Sequence, residues 1–245
     1  MKKFLVAILV VFMTLQSTSP TFASEVKFVL DESQIIKIQL DENIEYDNIE
    51  DVLVDPKFNE VYGFLDEKDV SEYKENAKEK FSLDIEGYVI NYYKGDDYVV
   101  VDEGVGISLI TFENGEAYIN GVHYEIQEEN DHMITPYGLV NNHTHTFNIV
   151  GLTVGVIAAL VVGVCTTELL LSAVSGSVSA GIISFAIPDE MQPVVQYKHK
   201  DYMEIVHPFI GIYDWTYYSY LYYGTAANPT KHFLDSWVKT VTRVQ

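Results

Sequence analysis

Between residues 147 and 187 the chain runs for 41 residues with a single charged side chain, Glu168. Any fold for this sequence has to place that stretch where water does not reach. As one helix it would extend roughly 60 Å, about twice the hydrocarbon core of a bilayer. Thr166, Thr167 and Glu168 make a polar break near its middle. Each arm is then about 19 residues, close to one core thickness. The lengths predict an apolar α-helical hairpin with its tip at Thr166, Thr167 and Glu168. Small residues recur four apart in both arms: Gly151, Gly155, Ala159 and Gly163 in the first, Ser172, Gly176, Ala180 and Ser184 in the second. Such stripes let two helices pack closely during membrane insertion. Two other fates remain open for the stretch. A helix apolar on every side also suits the core of a soluble protein. Val154, Val156, Val161, Val162 and Val164 favour strands.

Residues 1–23 read as an export signal. Lys2 and Lys3 precede an apolar run over 4–13, and Thr21-Phe22-Ala23 supplies the small residues that a signal peptidase reads, with cleavage expected after Ala23. The apolar run is well short of the ~20 residues that a span needs. Cys165 is the only cysteine, so the chain has no internal disulfide and must be held by packing.

Charge divides the chain. Residues 24–137 hold 29 Asp and Glu against 8 Lys, and residues 138–245 hold 7 acidic against 5 basic side chains. So acidic a surface excludes nucleic acid as a partner, because phosphate binding needs Lys and Arg. The carboxylates of the first half have no distinguishing context and read as a solvated face.

Within residues 24–132 short strands are expected over 26–30 and 35–40, and a surface helix over 66–81 capped by Asp66 or Asp69. Asn114-Gly115 and Asn120-Gly121 lie between apolar runs, a strong hairpin signal, and predict an antiparallel meander over about 85–127. Residues 133–146, with Pro136 and Gly138, read as a linker. Residues 188–245 form an aromatic-rich tail. Trp215, Tyr218, Tyr222 and Trp237 are its candidate membrane-interface residues, since Tyr and Trp combine an apolar body with a polar tip. Tyr218, Tyr220 and Tyr222 also alternate at strand spacing. Residues 232–241 suggest a short terminal helix. The expected fold class is α+β: a small acidic antiparallel-sheet domain with one helix, then the apolar helical hairpin at 147–187, then the tail.

No nucleophile elbow, phosphate loop or zinc-protease motif is present, so no enzyme, cofactor or catalytic residue is expected. His143 and His145 would share one side of a strand, but no further ligand stands at a confirming spacing and no metal site is assigned. Histidines 143, 145, 199, 207 and 232 admit a pH-dependent step.

The export signal, the acidic first half, the run 142–151 (NHTHTFNIVG), the Gly/Ala/Val/Ser-rich stretch and Tyr223-Gly224-Thr225 in an aromatic tail together resemble the geobacillin-type large bacteriocins of Gram-positive bacteria. The resemblance spans most of the chain and rests on layout. It implies a secreted antimicrobial protein that acts on the membrane of related bacteria, with a cognate immunity protein as a second partner. The alternative is an exported integral membrane protein without toxic role, holding an acidic sensor or scaffold domain outside the cell.

Overall fold

A computed structural model of the chain describes residues 27–30, 35–39, 48–131, 139–165, 170–184, 189–207 and 212–244. The signal segment with Ala23, and Thr166, Thr167 and Glu168, lie outside the described residues.

The two Asn-Gly pairs take positive φ, 54° and 86° at Asn114-Gly115 and 52° and 79° at Asn120-Gly121. Such turns match the twist of the strands they join. They connect β6 (Ile107–Glu113), β7 (Glu116–Ile119) and β8 (Val122–Tyr124) into a meander that continues back through β5 (Tyr98–Asp102), β4 (Tyr88–Lys94) and β3 (Glu79–Ile85). On the far side β3 pairs parallel with β2 (Ile35–Gln39), which pairs with β1 (Lys27–Leu30), completing an eight-stranded sheet. The parallel step needs a crossover. Three helices lie in it: α1 (Glu50–Leu53), α2 (Pro56–Val61) and α3 (Glu67–Asn76). Asp66 and Asp69 form a capping box on α3. That helix stops before Lys78 and Lys80, and Lys80 already belongs to β3, where Phe81, Leu83 and Ile85 alternate inward at period two.

The second sheet overturns the expected architecture. Its order is β13 (Asn228–Val244), β12 (Ile212–Thr225), β11 (Pro193–His207), β10 (Leu139–Asn148), β9 (Gln127–Asp131), every neighbour antiparallel. The chain is therefore mostly β, in two sheets. Residues 139–146, expected as linker, are β10, and residues 232–241, expected as helix, run through β13. The apparent helical spacing of Phe233, Trp237 and Val241 loses to cross-strand pairing along the whole of β12, with an irregularity at Leu221/Tyr222.

The expected apolar helical hairpin is corrected too. Phe147 and Asn148 end a strand, and the stretch that follows forms two short helices, α4 (Val154–Val164, 11 residues) and α5 (Leu170–Ser184, 15 residues). No helix among the described residues is long and apolar enough to cross a membrane. Helix α4 packs on β5 and β6, α5 on β11, β12 and β13, and the two helices touch each other. They form a middle layer between the sheets. Val154 to Val162 are all buried, as are Ala173, Val174, Val178 and Ala180. Burial on all sides explains how a Val-rich segment of modest helix propensity stays helical.

Candidate functional site

The small residues of the apolar stretch fit the sheets. A Cβ on Gly155 would stand 2.8 Å from the Glu103 carboxyl carbon and 2.9 Å from Val101 Cγ1. One on Gly163 would overlap the Phe112 ring, and one on Gly176 would meet Leu221 of β12. Gly181, which stands outside both stripes, faces Val154 and Ile157 of α4. Gly151 turns the chain into α4 with φ +71°. Ala159 and Ala180 are fully buried. Ser172 and Ser184 lie in α5. Gly155 and Gly163 thus face the first sheet and Gly176 the second.

A polar centre anchors the start of α4. Thr153 caps the helix, its side chain accepting from the Val156 N–H at 3.2 Å. The Thr153 hydroxyl donates to Glu103 Oε2 at 2.7 Å, and the Gly155 N–H donates to Oε1 at 3.0 Å. The Tyr92 hydroxyl donates to the Gly155 carbonyl at 3.3 Å, and the Tyr88 hydroxyl to the Glu103 carbonyl. Glu103 is 1% exposed. Burial pushes its carboxyl up from 4.5 to about 7, against the lowering effect of Thr153 and Gly155; nearby Asp102 adds to the rise. A carboxylate suits a helix N-terminus, where N–H groups are otherwise unpaired. Sequence reasoning placed Glu103 on a solvated face. The available signal is its position two residues past the apolar run 99–101 of β5.

A row of rings covers part of the inner face of the second sheet. His143 pairs with His199, and His145 with Tyr197. His143 Nδ1 lies 2.7 Å from Asn130 Oδ1, and His145 Nδ1 lies 3.2 Å from Glu128 Oε1. His199 Nε2 stands 2.6 Å from Asp201 Oδ1, and its Nδ1 2.9 Å from Ser219 Oγ. Tyr197 stacks on His145, His199 and Trp237. Burial holds His145 and His199 below the usual imidazole range, with Glu128 and Asp201 opposing. Asp201, His199 and Ser219 have the composition of a nucleophile relay. Ser219, however, is 0% exposed and its Oγ also meets the Tyr197 hydroxyl at 3.2 Å. The network therefore packs the sheet, with the Ser219 hydroxyl held away from solvent. No group of three or more His, Cys, Asp or Glu suited to a metal occurs among the described residues.

The outer face of the same sheet is different. Tyr202, Tyr218, Tyr220 and Tyr222 lie on it with Phe233 and Val238. Phe233 is 57% and Val238 59% exposed. Lys198 lies over the Tyr222 ring at 5.7 Å and Lys200 over Tyr220 at 5.9 Å. Tyr202 meets Tyr218 edge to face, as Tyr222 does Phe233. Of the four candidate interface residues, Tyr218 and Tyr222 belong to this face. Trp237 stacks inward on Tyr197, and Trp215 shares the strand parity of the inward Ser219 and Leu221.

These features define a class: a two-sheet β protein with an interior layer of two helices, a buried carboxyl at the helix start and one aromatic, lysine-bearing sheet face. No protein-family model, curated protein or solved structure matches the chain.

Proposed function

We propose that the protein is a secreted antimicrobial of bacteriocin type that engages the membrane of related bacteria through the outer face of the second sheet. The observation that carries this reading is the cluster of Tyr218, Tyr220, Tyr222 and exposed Phe233 around Lys198 and Lys200. In a chain of net charge −21, it sets two cations among amphipathic rings, with Glu204 and Asp214 paired farther along the same face. That chemistry suits the headgroup region of anionic lipid. The export signal and the layout shared with geobacillin-type bacteriocins support the same reading, and a cognate immunity protein would then protect the producer. The two helices serve as the packing layer that holds the face rigid.

Tyr218→Ala with Tyr222→Ala is expected to weaken binding to anionic phospholipid vesicles by roughly tenfold or more, and to lower killing of related Gram-positive cells in step. Trp237→Ala, on the inner face, is expected to lower stability while leaving binding per folded molecule unchanged. Full vesicle binding by the folded tyrosine double variant would remove the reading. Recovery of the protein from the producer's membrane fraction, with none in the medium, would favour the exported membrane protein without toxic role.

A further inference from the structure

The two Asn-Gly turns of the first sheet share a dipeptide and a backbone, but not a side-chain environment. They are the only Asn-Gly pairs in the chain. The φ angle is 54° at Asn114 and 52° at Asn120, 86° at Gly115 and 79° at Gly121. Nothing stands within 4 Å of the Cβ position of either glycine. The asparagine side chains differ. Asn120 is half-buried, its Oδ1 accepts from the Leu109 N–H at 2.7 Å, and its Nδ2 donates to the Gly63 carbonyl. It thereby ties β6 to the loop between α2 and α3. Asn114 stands exposed at the tip of the β6–β7 hairpin and makes no side-chain hydrogen bond to any described residue.

That difference bears on a reaction the chain can perform on itself. Asparagine is a thermolabile side chain, and a following glycine has no Cβ to keep its backbone nitrogen away from the asparagine Cγ. The glycine nitrogen, having given its proton to solvent, attacks Cγ and forms a new N–C bond. The bond from Cγ to the side-chain nitrogen breaks, and ammonia leaves with a proton taken back from solvent. Water then opens the cyclic imide at one carbonyl or the other, leaving aspartate or isoaspartate. For the first step the side chain must swing until Cγ meets the next nitrogen. At Asn114 no tether resists this, and an exposed hairpin tip opens at little cost. At Asn120 both hydrogen bonds must break first, which leaves the half-buried Leu109 N–H without its acceptor.

We propose that Asn114 is a site of spontaneous deamidation in the folded protein, and that the tether of Asn120 protects the second Asn-Gly pair. The modification adds a negative charge between Glu113 and Glu116, which already face each other across the hairpin. Its isoaspartyl form also adds a methylene to the backbone of a turn whose geometry sets that pairing. Deamidation at Asn120 would instead turn a carboxylate toward the Gly63 carbonyl. The fold thus leaves open the asparagine whose side chain holds nothing and closes off the one that joins β6 to the helical crossover.

The test uses the full chain in solution, with no membrane and no killing assay, so its outcome is separate from that of the proposed function. The protein is aged in mildly alkaline buffer, native and in denaturant at the same pH and temperature. Digestion after Tyr118 separates the two sites, and mass spectrometry follows the exchange of ammonia for water at each. In the native protein Asn114 is expected to react faster than Asn120 by roughly tenfold or more, the effect of two hydrogen bonds on the opening step. In denaturant the two rates should converge. Asn114→Asp, which keeps a residue tolerant of positive φ, is expected to remove nearly all of the native mass gain. Equal native rates, or a native Asn114 that does not react, overturn the proposal. So does the same rate ratio in denaturant as in the fold, which would put the cause in neighbouring residues and not in the tether.

Discussion

Glu103→Gln is expected to remove a pH-dependent contribution to stability of about 3 kcal/mol. The carboxyl rises from 4.5 in its ordinary state to about 7 in the fold, and each unit corresponds to about 1.4 kcal/mol. The sign follows from which state holds the proton more tightly. The folded state does, so the contribution of Glu103 is most favourable below 4.5, is lost as pH rises toward about 7, and is constant above. Glutamine keeps an oxygen to accept from Gly155 and cannot ionise. Above neutrality the variant should therefore equal or exceed the wild type in stability, and in acid the advantage should vanish. His145 and His199 titrate in the opposite sense. Burial lowers them below the usual 6.5, so their contribution falls as pH drops below that value. Subtracting the unfolding free energies of wild type and variant at each pH cancels the histidines and isolates Glu103. A difference that stays level from acid to mildly alkaline pH would show that the carboxyl is solvated.

Gly155→Leu is expected to cost at least ~3 kcal/mol, because the side chain would enter space held by the Glu103 carboxyl and Val101 of a central strand. Gly176→Leu presses on Leu221 of the other sheet and should cost a similar amount. The two losses together take up most of the ~5–15 kcal/mol that holds an ordinary domain folded. The double variant should then lack the cooperative denaturation curve of the wild type. If the glycines instead served a helix–helix contact formed only in lipid, the purified double variant would unfold at the wild-type denaturant concentration. That result would place the helices against something other than the sheets.

Different parts of this arrangement were legible in the sequence to different degrees. The meander of the first sheet was readable because Asn-Gly chemistry is local: positive φ at Asn114 and Asn120 follows from the residues themselves. The environment of 147–187 was not, because lipid and a protein interior make the same demand on a helix, apolar side chains all round. Its small-residue stripes suit a flat partner of either kind. The deciding information lay in residues 193–244, where Val195 and Tyr197 alternate with Gln196 and Lys198, a period that builds a face broad enough to cover a helix. The spacing of Phe233, Trp237 and Val241 mimicked a helix and hid that period in β13. Glu103 was invisible because a single carboxylate among 36 acidic residues is marked only by the depth of its strand. His143 and His145 do share one side of β10, as their spacing implied, but His199 joins them from 54 positions away through strand pairing, which no local pattern reveals.

The apolar segment forms the interior layer of a two-sheet protein. Cys165 tests it without any substitution. It is the only cysteine in the chain, it closes α4, it is 6% exposed, and burial pushes its thiol up to about 12. Its rate of reaction with a maleimide should be measured on the native protein and on protein unfolded in denaturant at the same pH. The buried layer predicts a native rate slower by roughly a hundredfold or more, set by opening of the fold and not by thiolate chemistry. A native thiol that reacts as fast as the unfolded one would place the helix outside the protein core and contradict the account.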